Sequence, residues 1–406
     1  MSPSSGHKFL RRMFAVILTA ALVFAGGFFA LRAALPDTFS VAPGEELTIE
    51  SIPFLTVRSP QFSRTAPAGS TRDQSSSSHV LTVLGIPVKT VRTVIEERKV
   101  ITACGMPFGI KMFSDGALVV AFSDLDTASG TRNPAKEAGL RLGDVIISVN
   151  GVQTRTNEEL TQAIASAGGN TLQIVYRREN VTHSCALTPV KERDGENWRA
   201  GIWVRDSSAG IGTLTFVDPQ SGVFGGLGHA ISDSDTGTDL PLLSGEIVPV
   251  TITGCVKGSA GSPGELKGEF TSGAAVGTVY SNDLTGVYGK LADGVSISGT
   301  ELPVANMQEI ALGEAEILTT TLGTTPHRYK VRIERVNMTA GDPNRNLMLR
   351  VTDPALLSAT GGIVQGMSGS PILQDGKIVG AVTHVLVNDP TMGYGIFIEN
   401  MLDAAS

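Results

Sequence analysis

Near the C-terminal end the chain reads Val364-Gln365-Gly366-Met367-Ser368-Gly369-Ser370-Pro371, then an apolar run, an Asp375-Gly376 turn and a second apolar run. A nucleophilic serine needs a sharp, sterically open turn and amides free to face a developing oxyanion. Gly366 and Gly369 permit the turn because they carry no Cβ. The amides of Gly366 and Ser368 are the candidate oxyanion donors. The same chemistry requires a histidine base and a group that orients it.

Of the six histidines, His7 precedes an apolar run, His79 lies in a serine-rich stretch, and His183 closes a separate unit. His327 alternates with apolar residues on a surface strand. His229 stands apart in Phe224-Gly225-Gly226-Leu227-Gly228-His229-Ala230-Ile231, with glycines crowding the backbone beside an imidazole. It is the candidate general base. His384, on the second strand after the serine, reads as a pocket wall or a core position. Spacing leaves the acid open among Asp353, fifteen residues before Ser368, and Asp233, Asp235 and Asp239, soon after His229. A second Gly/Ser cluster, residues 258–264, lacks the strand–turn–strand that follows Ser368 and reads as a flexible turn. Cys104, Cys185 and Cys255 have neither CxxC spacing nor histidines at metal-ligand spacing, so neither metal nor cofactor is expected. They read as free thiols, a Cys104–Cys185 disulfide being the alternative.

The elements that must position these groups are mostly strands. Forty-seven glycines without a repeating period, in 406 residues, suit many short strands and turns across two or three domains. Lys plus Arg number 32 against 39 for Asp plus Glu, and no basic stripe stands out, which argues against nucleic-acid binding. Residues 13–31 form an uncharged apolar run preceded by Lys8, Arg11 and Arg12 and followed by Arg32. That length and charge bias predict a signal anchor with a cytoplasmic N-terminus (residues 1–12), a cleavable signal peptide being the alternative. Either way the remaining chain is exported. Residues 32–103 read as a linker with short β segments and a Ser-rich tether, the expected site of self-cleavage.

Residues 104–190 form a separate unit. Strand, short helix, turn and strand lead to Asn157-Glu158-Glu159-Leu160-Thr161-Gln162-Ala163-Ile164, where Asn157 is the expected N-cap and Leu160, Ala163 and Ile164 the buried face. The run from Ala138 to Gly151, A-G-L-x-x-G-D-V-I-x-x-V-N-G, resembles a PDZ domain. The resemblance implies that Pro107, Phe108, Gly109 and Ile110 form the loop receiving a peptide carboxylate, with strand addition beside it.

Strand-like pieces dominate residues 195–406, and a helical signal returns only at the end. Gly228-His229, Asp353-Pro354 and the Ser368 motif, together with the anchor and the PDZ-like unit, resemble the SpoIVB peptidases, the stage IV sporulation protein B family of endospore-forming bacteria. The fold implied is mainly β: an N-terminal transmembrane helix, a PDZ domain and a trypsin-like double β-barrel serine peptidase domain. The resemblance also implies Ser368 as nucleophile, His229 as base and Asp353 as acid. It implies action between forespore and mother-cell membranes, on the chain itself and on the regulatory subunit of an intramembrane metalloprotease, releasing a sporulation sigma factor. Met367 stands where trypsin-like zymogens carry an aspartate, so activation must differ. The competing readings are a non-catalytic PDZ scaffold for membrane-protein tails and an HtrA-like quality-control protease.

Overall fold

The computed structural model describes residues 4–58, 76–179, 181–193, 195–271 and 273–406. Helix Ser4–Ala33 leads the chain, and its stretch Arg11–Ala33 is long and apolar enough to cross a membrane.

The next segment is more ordered than a linker. Strands Thr38–Val41, Ile86–Ile95, Ser76–Val83 and Leu55–Arg58 form one sheet in that order. Leu35, Phe39, Val41, Leu81, Val88 and Val91 fill its core. The first pairing is parallel and joins residues over 50 positions apart, such as Thr38 and Arg92, which no local pattern reports. Part of the serine run, Ser76 to Ser78, is strand; residues 59–75, the rest of the expected tether, lie outside the described residues. The sheet docks on the peptidase through Arg98, which binds Glu45 and Glu309 and donates to the Val304 carbonyl at 2.7 Å.

Two closed rings of six strands make the peptidase. The first runs Pro107–Phe122, Leu242–Val256, Gly277–Asp283, Gly286–Leu291, Val223–Gly226, Ile202–Val217 and back to Pro107–Phe122. The second joins Gly313–Thr319, His327–Val336, Leu347–Val351, Asp389–Phe397, Lys377–Leu386 and Pro371–Gln374. Closure gives each ring an apolar interior, although in the first ring residues 202–212 of strand Ile202–Val217 pair on one side only among the described residues. Strand His327–Val336 shows the pattern at work: Val331 and Ile333 point inward between charged neighbours. Phe108, Ile110, Leu214, Phe224, Ile247 and Val287 fill the first ring, while Ile317, Leu349, Met367 and Ile372 fill the second.

The PDZ-like unit is inserted into the first ring, between its strands Pro107–Phe122 and Ile202–Val217. Strands Val145–Val149, Leu172–Arg178 and Val181–Leu187 and helix Asn157–Ser166 enclose Leu140, Ile146, Leu160, Ile164 and Ile174. Leu160 and Ile164 are buried as the spacing predicts. The cap differs: Thr156, not Asn157, accepts from the Glu159 amide and completes a capping box with Glu159.

One sequence expectation fails here. Pro107, Phe108, Gly109 and Ile110 are all buried inside strand Pro107–Phe122. Ile110 faces Gly210 on one side and Ile247 on the other. A strand paired on both edges cannot receive a peptide by strand addition. These residues belong to the first ring, and Val100–Ala103 extends its sheet, pairing with the end of Ile202–Val217 and with Thr300–Pro303. All three cysteines are free, and burial pushes the Cys104 thiol up to about 12.

Candidate active site

The serine turn is built between the two barrels. Met367 is fully buried in the second barrel and anchors the turn from below. On the other side the first barrel grips it: the Thr213 amide donates to the Ser368 carbonyl (3.0 Å), Thr213 Oγ1 to the Gly366 carbonyl (2.8 Å) and Thr215 Oγ1 to the Gly369 carbonyl (2.7 Å). Gly369 has φ +92°, and a Cβ there would lie 2.0 Å from the Thr213 carbonyl oxygen. Only glycine fits. With three carbonyls of the turn occupied, the amides of Gly366 and Ser368 still donate to no acceptor among the described residues. They are available to an oxyanion.

His229 follows Leu227 and Gly228, both at positive φ, at the end of strand Val223–Gly226. Its Nδ1 lies 2.8 Å from the Ala230 carbonyl oxygen. A carbonyl can only accept, so Nδ1 carries the hydrogen and Nε2 keeps its lone pair. Burial lowers the His229 pKa, opposed by the Ala230 carbonyl and by the charge of Asp239. Asn282 fixes the following backbone, accepting from the Ile231 amide (2.8 Å) and donating to the Ile231 carbonyl (3.0 Å). His384 lies against His229, with ring centroids 4.8 Å apart and planes tilted by 33°. Crowding by the cleft wall, and then the neighbouring imidazole, hold its pKa down at about 4.

Ser368, His229 and His384 line one cleft of about 410 Å³, with Ile211, Leu227, Ile363, Val364, Val385 and Val387 as apolar wall. The Ser368 hydroxyl donates to the Thr383 carbonyl at 2.6 Å. The serine therefore rests turned toward strand Lys377–Leu386.

The expected acid is elsewhere. Asp353 caps helix Pro354–Thr360: Oδ1 accepts from the Ala355 and Leu356 amides at 2.9 and 3.3 Å, and Oδ2 from the Lys330 amide at 3.2 Å. Desolvation works against its charge, but these amides hold its pKa below the ordinary value. Both oxygens are occupied and Asp353 does not line the cleft, so the role of orienting acid is corrected to helix cap. The alternatives fare no better. Asp233 is buried against Arg205, Asp235 pairs with Arg205 at 2.7 Å, and Asp239 accepts from Ser232 Oγ at 2.6 Å. Among the described residues no carboxylate lines the cleft. The Ala230 carbonyl takes the orienting position instead. Sequence offers no signal for a backbone acceptor, nor for Asn282, whose partners lie 42 and 51 residues away.

The sequence model of the SpoIVB peptidase S55 family matches residues 196–402, and that of a PDZ domain matches residues 126–178. Serine protease HTRA1 of Xenopus laevis is 45% identical over 56 residues, 14% of this chain and 12% of that protein. Similar solved structures include the PDZ domain of an SdrC-like protein from Listeria monocytogenes (21% identity, TM-score 0.18), covering 22% of this chain and 87% of that one. Another is the active form of the Rv3671c protease from M. tuberculosis (14% identity, TM-score 0.31), covering 49% of this chain and 73% of that one.

Proposed function

The chain belongs to the SpoIVB peptidase S55 family and is a PDZ-containing serine peptidase, and from that premise we propose that it is a membrane-tethered, extracytoplasmic endopeptidase with Ser368 as nucleophile and His229 as general base. The observation that carries this reading is the meeting of Ser368, His229 and two unengaged amides in one cleft between the barrels.

In the proposed reaction Ser368 Oγ rotates from the Thr383 carbonyl toward His229. Nε2 takes the hydroxyl proton as Oγ attacks the scissile carbonyl. The amides of Gly366 and Ser368 receive the oxyanion. His229 then gives the proton to the leaving amine, and water resolves the acyl-enzyme by the reverse sequence. The Ala230 carbonyl, hydrogen-bonded to Nδ1, holds the imidazole in the required tautomer, and its dipole stabilises the imidazolium. Rotation of Ser368 also frees the Thr383 carbonyl to accept a backbone N–H of the substrate.

The apolar N-terminal helix supports a tether or an export signal. Family membership supports the finer reading: self-processing, and cleavage of the regulatory subunit of an intramembrane metalloprotease in the space between forespore and mother cell, activating a sigma factor. The test is the full-length chain expressed as wild type and as Ser368→Ala, with N-termini and fragments mapped by mass spectrometry. Processing that disappears in Ser368→Ala supports the assignment. Identical processing in both removes Ser368 as the nucleophile.

A further inference from the structure

Strand Ile202–Val217 enters the protein in the PDZ unit and leaves it in the active site. At its start, Ile202 and Val204 pack on the PDZ core, and Asp206 Oδ2 accepts from the amide of Asn157, the first residue of helix Asn157–Ser166. Further along, Ser208, Gly210 and Ile211 line the catalytic cleft. At its end, Thr213 and Thr215 hold the Ser368 turn. From residue 202 to residue 212 its backbone pairs, among the described residues, only with strand Pro107–Phe122. Its other partners begin at Leu214 and Phe216. Outside that ladder, residues 202–212 make no backbone hydrogen bond among the described residues. Among the described residues nothing pairs with the opposite edge, and the strand is open beside it: Trp203 is 65% exposed, Ala209 and Gly210 are exposed, and a Cβ at Gly210 would meet open space.

We propose that this uncovered edge is a single substrate track, on which the segment C-terminal to the scissile bond lies antiparallel to residues 202–212 and reaches the PDZ helix. This rests on the peptidase reading above. The occupant follows from the surroundings. The edge is continuous with the cleft in which an extended polypeptide is cut, and its unpaired N–H and C=O groups call for another backbone. Antiparallel pairing is the more stable arrangement per residue. It sends the chain beyond the scissile bond from Ile211 back toward Ile202, beside helix Asn157–Ser166. That run spans about nine residues, or roughly 30 Å at strand spacing. The PDZ unit thus gains a groove after losing Pro107, Phe108, Gly109 and Ile110 as one, and the strand beside its helix is supplied by the peptidase. The substrate class is a polypeptide with an extended tail of at least about eight residues beyond the cut.

Two measurements test the track on the full-length protein in detergent. In the first, a proteome-derived peptide library is digested, cleavage sites are mapped by mass spectrometry, and the best substrate is trimmed from its C-terminus. Cuts should concentrate at least about eight residues from the peptide end. Trimming to three residues beyond the cut should raise KM roughly tenfold with kcat little changed, since the lost contacts bind ground and transition states alike. N-methylation of alternate amides in the distal segment should reproduce the loss. Equal cleavage of long and trimmed peptides, or dependence only on residues before the cut, overturns the track and leaves the peptidase reading intact. In the second, Ser368→Ala is titrated with the untrimmed and trimmed forms of a library peptide while tryptophan emission is followed. If no library peptide is cut, peptides of 20 and of six residues from the same library are used, so this arm stands without catalysis. The long form should shift emission through Trp203 and bind more tightly, and a Trp203→Phe control should lose the shift. No difference in affinity between long and short forms overturns the proposal.

Discussion

The Ser368 hydroxyl donates to the Thr383 carbonyl at 2.6 Å, so the nucleophile rests against strand Lys377–Leu386 rather than on His229. In the proposed reaction the carbonyl that holds the serine at rest takes a substrate N–H once the serine turns. Met367, next to Ser368 in the turn, is sealed in the second barrel. In the proposed reaction the rotation of Ser368 is the step that readies the site.

Loss of one substrate hydrogen bond to Thr383 has a measurable size. N-methylation of the substrate amide facing that carbonyl removes about 1–1.5 kcal/mol, or roughly tenfold in kcat/KM. Steady-state kinetics on matched peptides read this directly, and an unchanged kcat/KM would show that Thr383 does not receive substrate.

Burial keeps His229 neutral below the ordinary histidine range. The acid limb of kcat/KM should therefore fall below pH 6.5, the usual imidazole value. The sign for stability is the same. Between the lowered folded pKa and about 6.5 the unfolded chain binds the proton and the folded chain does not, so stability falls as pH drops through that window. His384, held at about 4, adds to it. Chemical denaturation at pH 5 and pH 7 checks the direction.

Asp353→Ala removes an N-cap and should cost about 1 kcal/mol of stability, while Asp353→Asn, which still caps, should cost less. Neither should lower kcat by the roughly 10⁴ expected of a triad aspartate. A 10⁴ loss in Asp353→Asn at unchanged stability would restore it as the orienting acid.

Arg205 joins the substrate-side strand to the loop after His229 by pairing with buried Asp233 and with Asp235. Arg205→Ala leaves Asp233 buried without its cation, at a cost of about 2 kcal/mol, less than a fully dry pair because turn amides still hold the carboxylate. Thermal unfolding should show a lower midpoint, and Arg205→Ala combined with Asp233→Asn should recover part of it.

The serine turn was legible because its geometry is local. Glycines on either side of Ser368 and before His229 are demanded by positive φ and close backbone approach, and both features sit within a few residues of sequence. The helix face of Leu160 and Ile164 was legible for the same reason. What escaped depends on distant partners. Ile110 is strand because Gly210 and Ile247 flank it, 100 and 137 residues away. Arg92 pairs with Thr38 across a segment that reads as tether. Asp353 beside a strand end and a proline satisfies a helix as well as it would a triad, and only the amides around it decide.

Treatment of the full-length protein with a fluorophosphonate, followed by peptide mapping, reads the identity of the nucleophile without needing a substrate. One adduct is expected, on Ser368, formed far more slowly in His229→Ala. An unmodified Ser368, or an adduct carried instead by a serine of the 258–264 turn, would contradict the assignment of Ser368 as nucleophile.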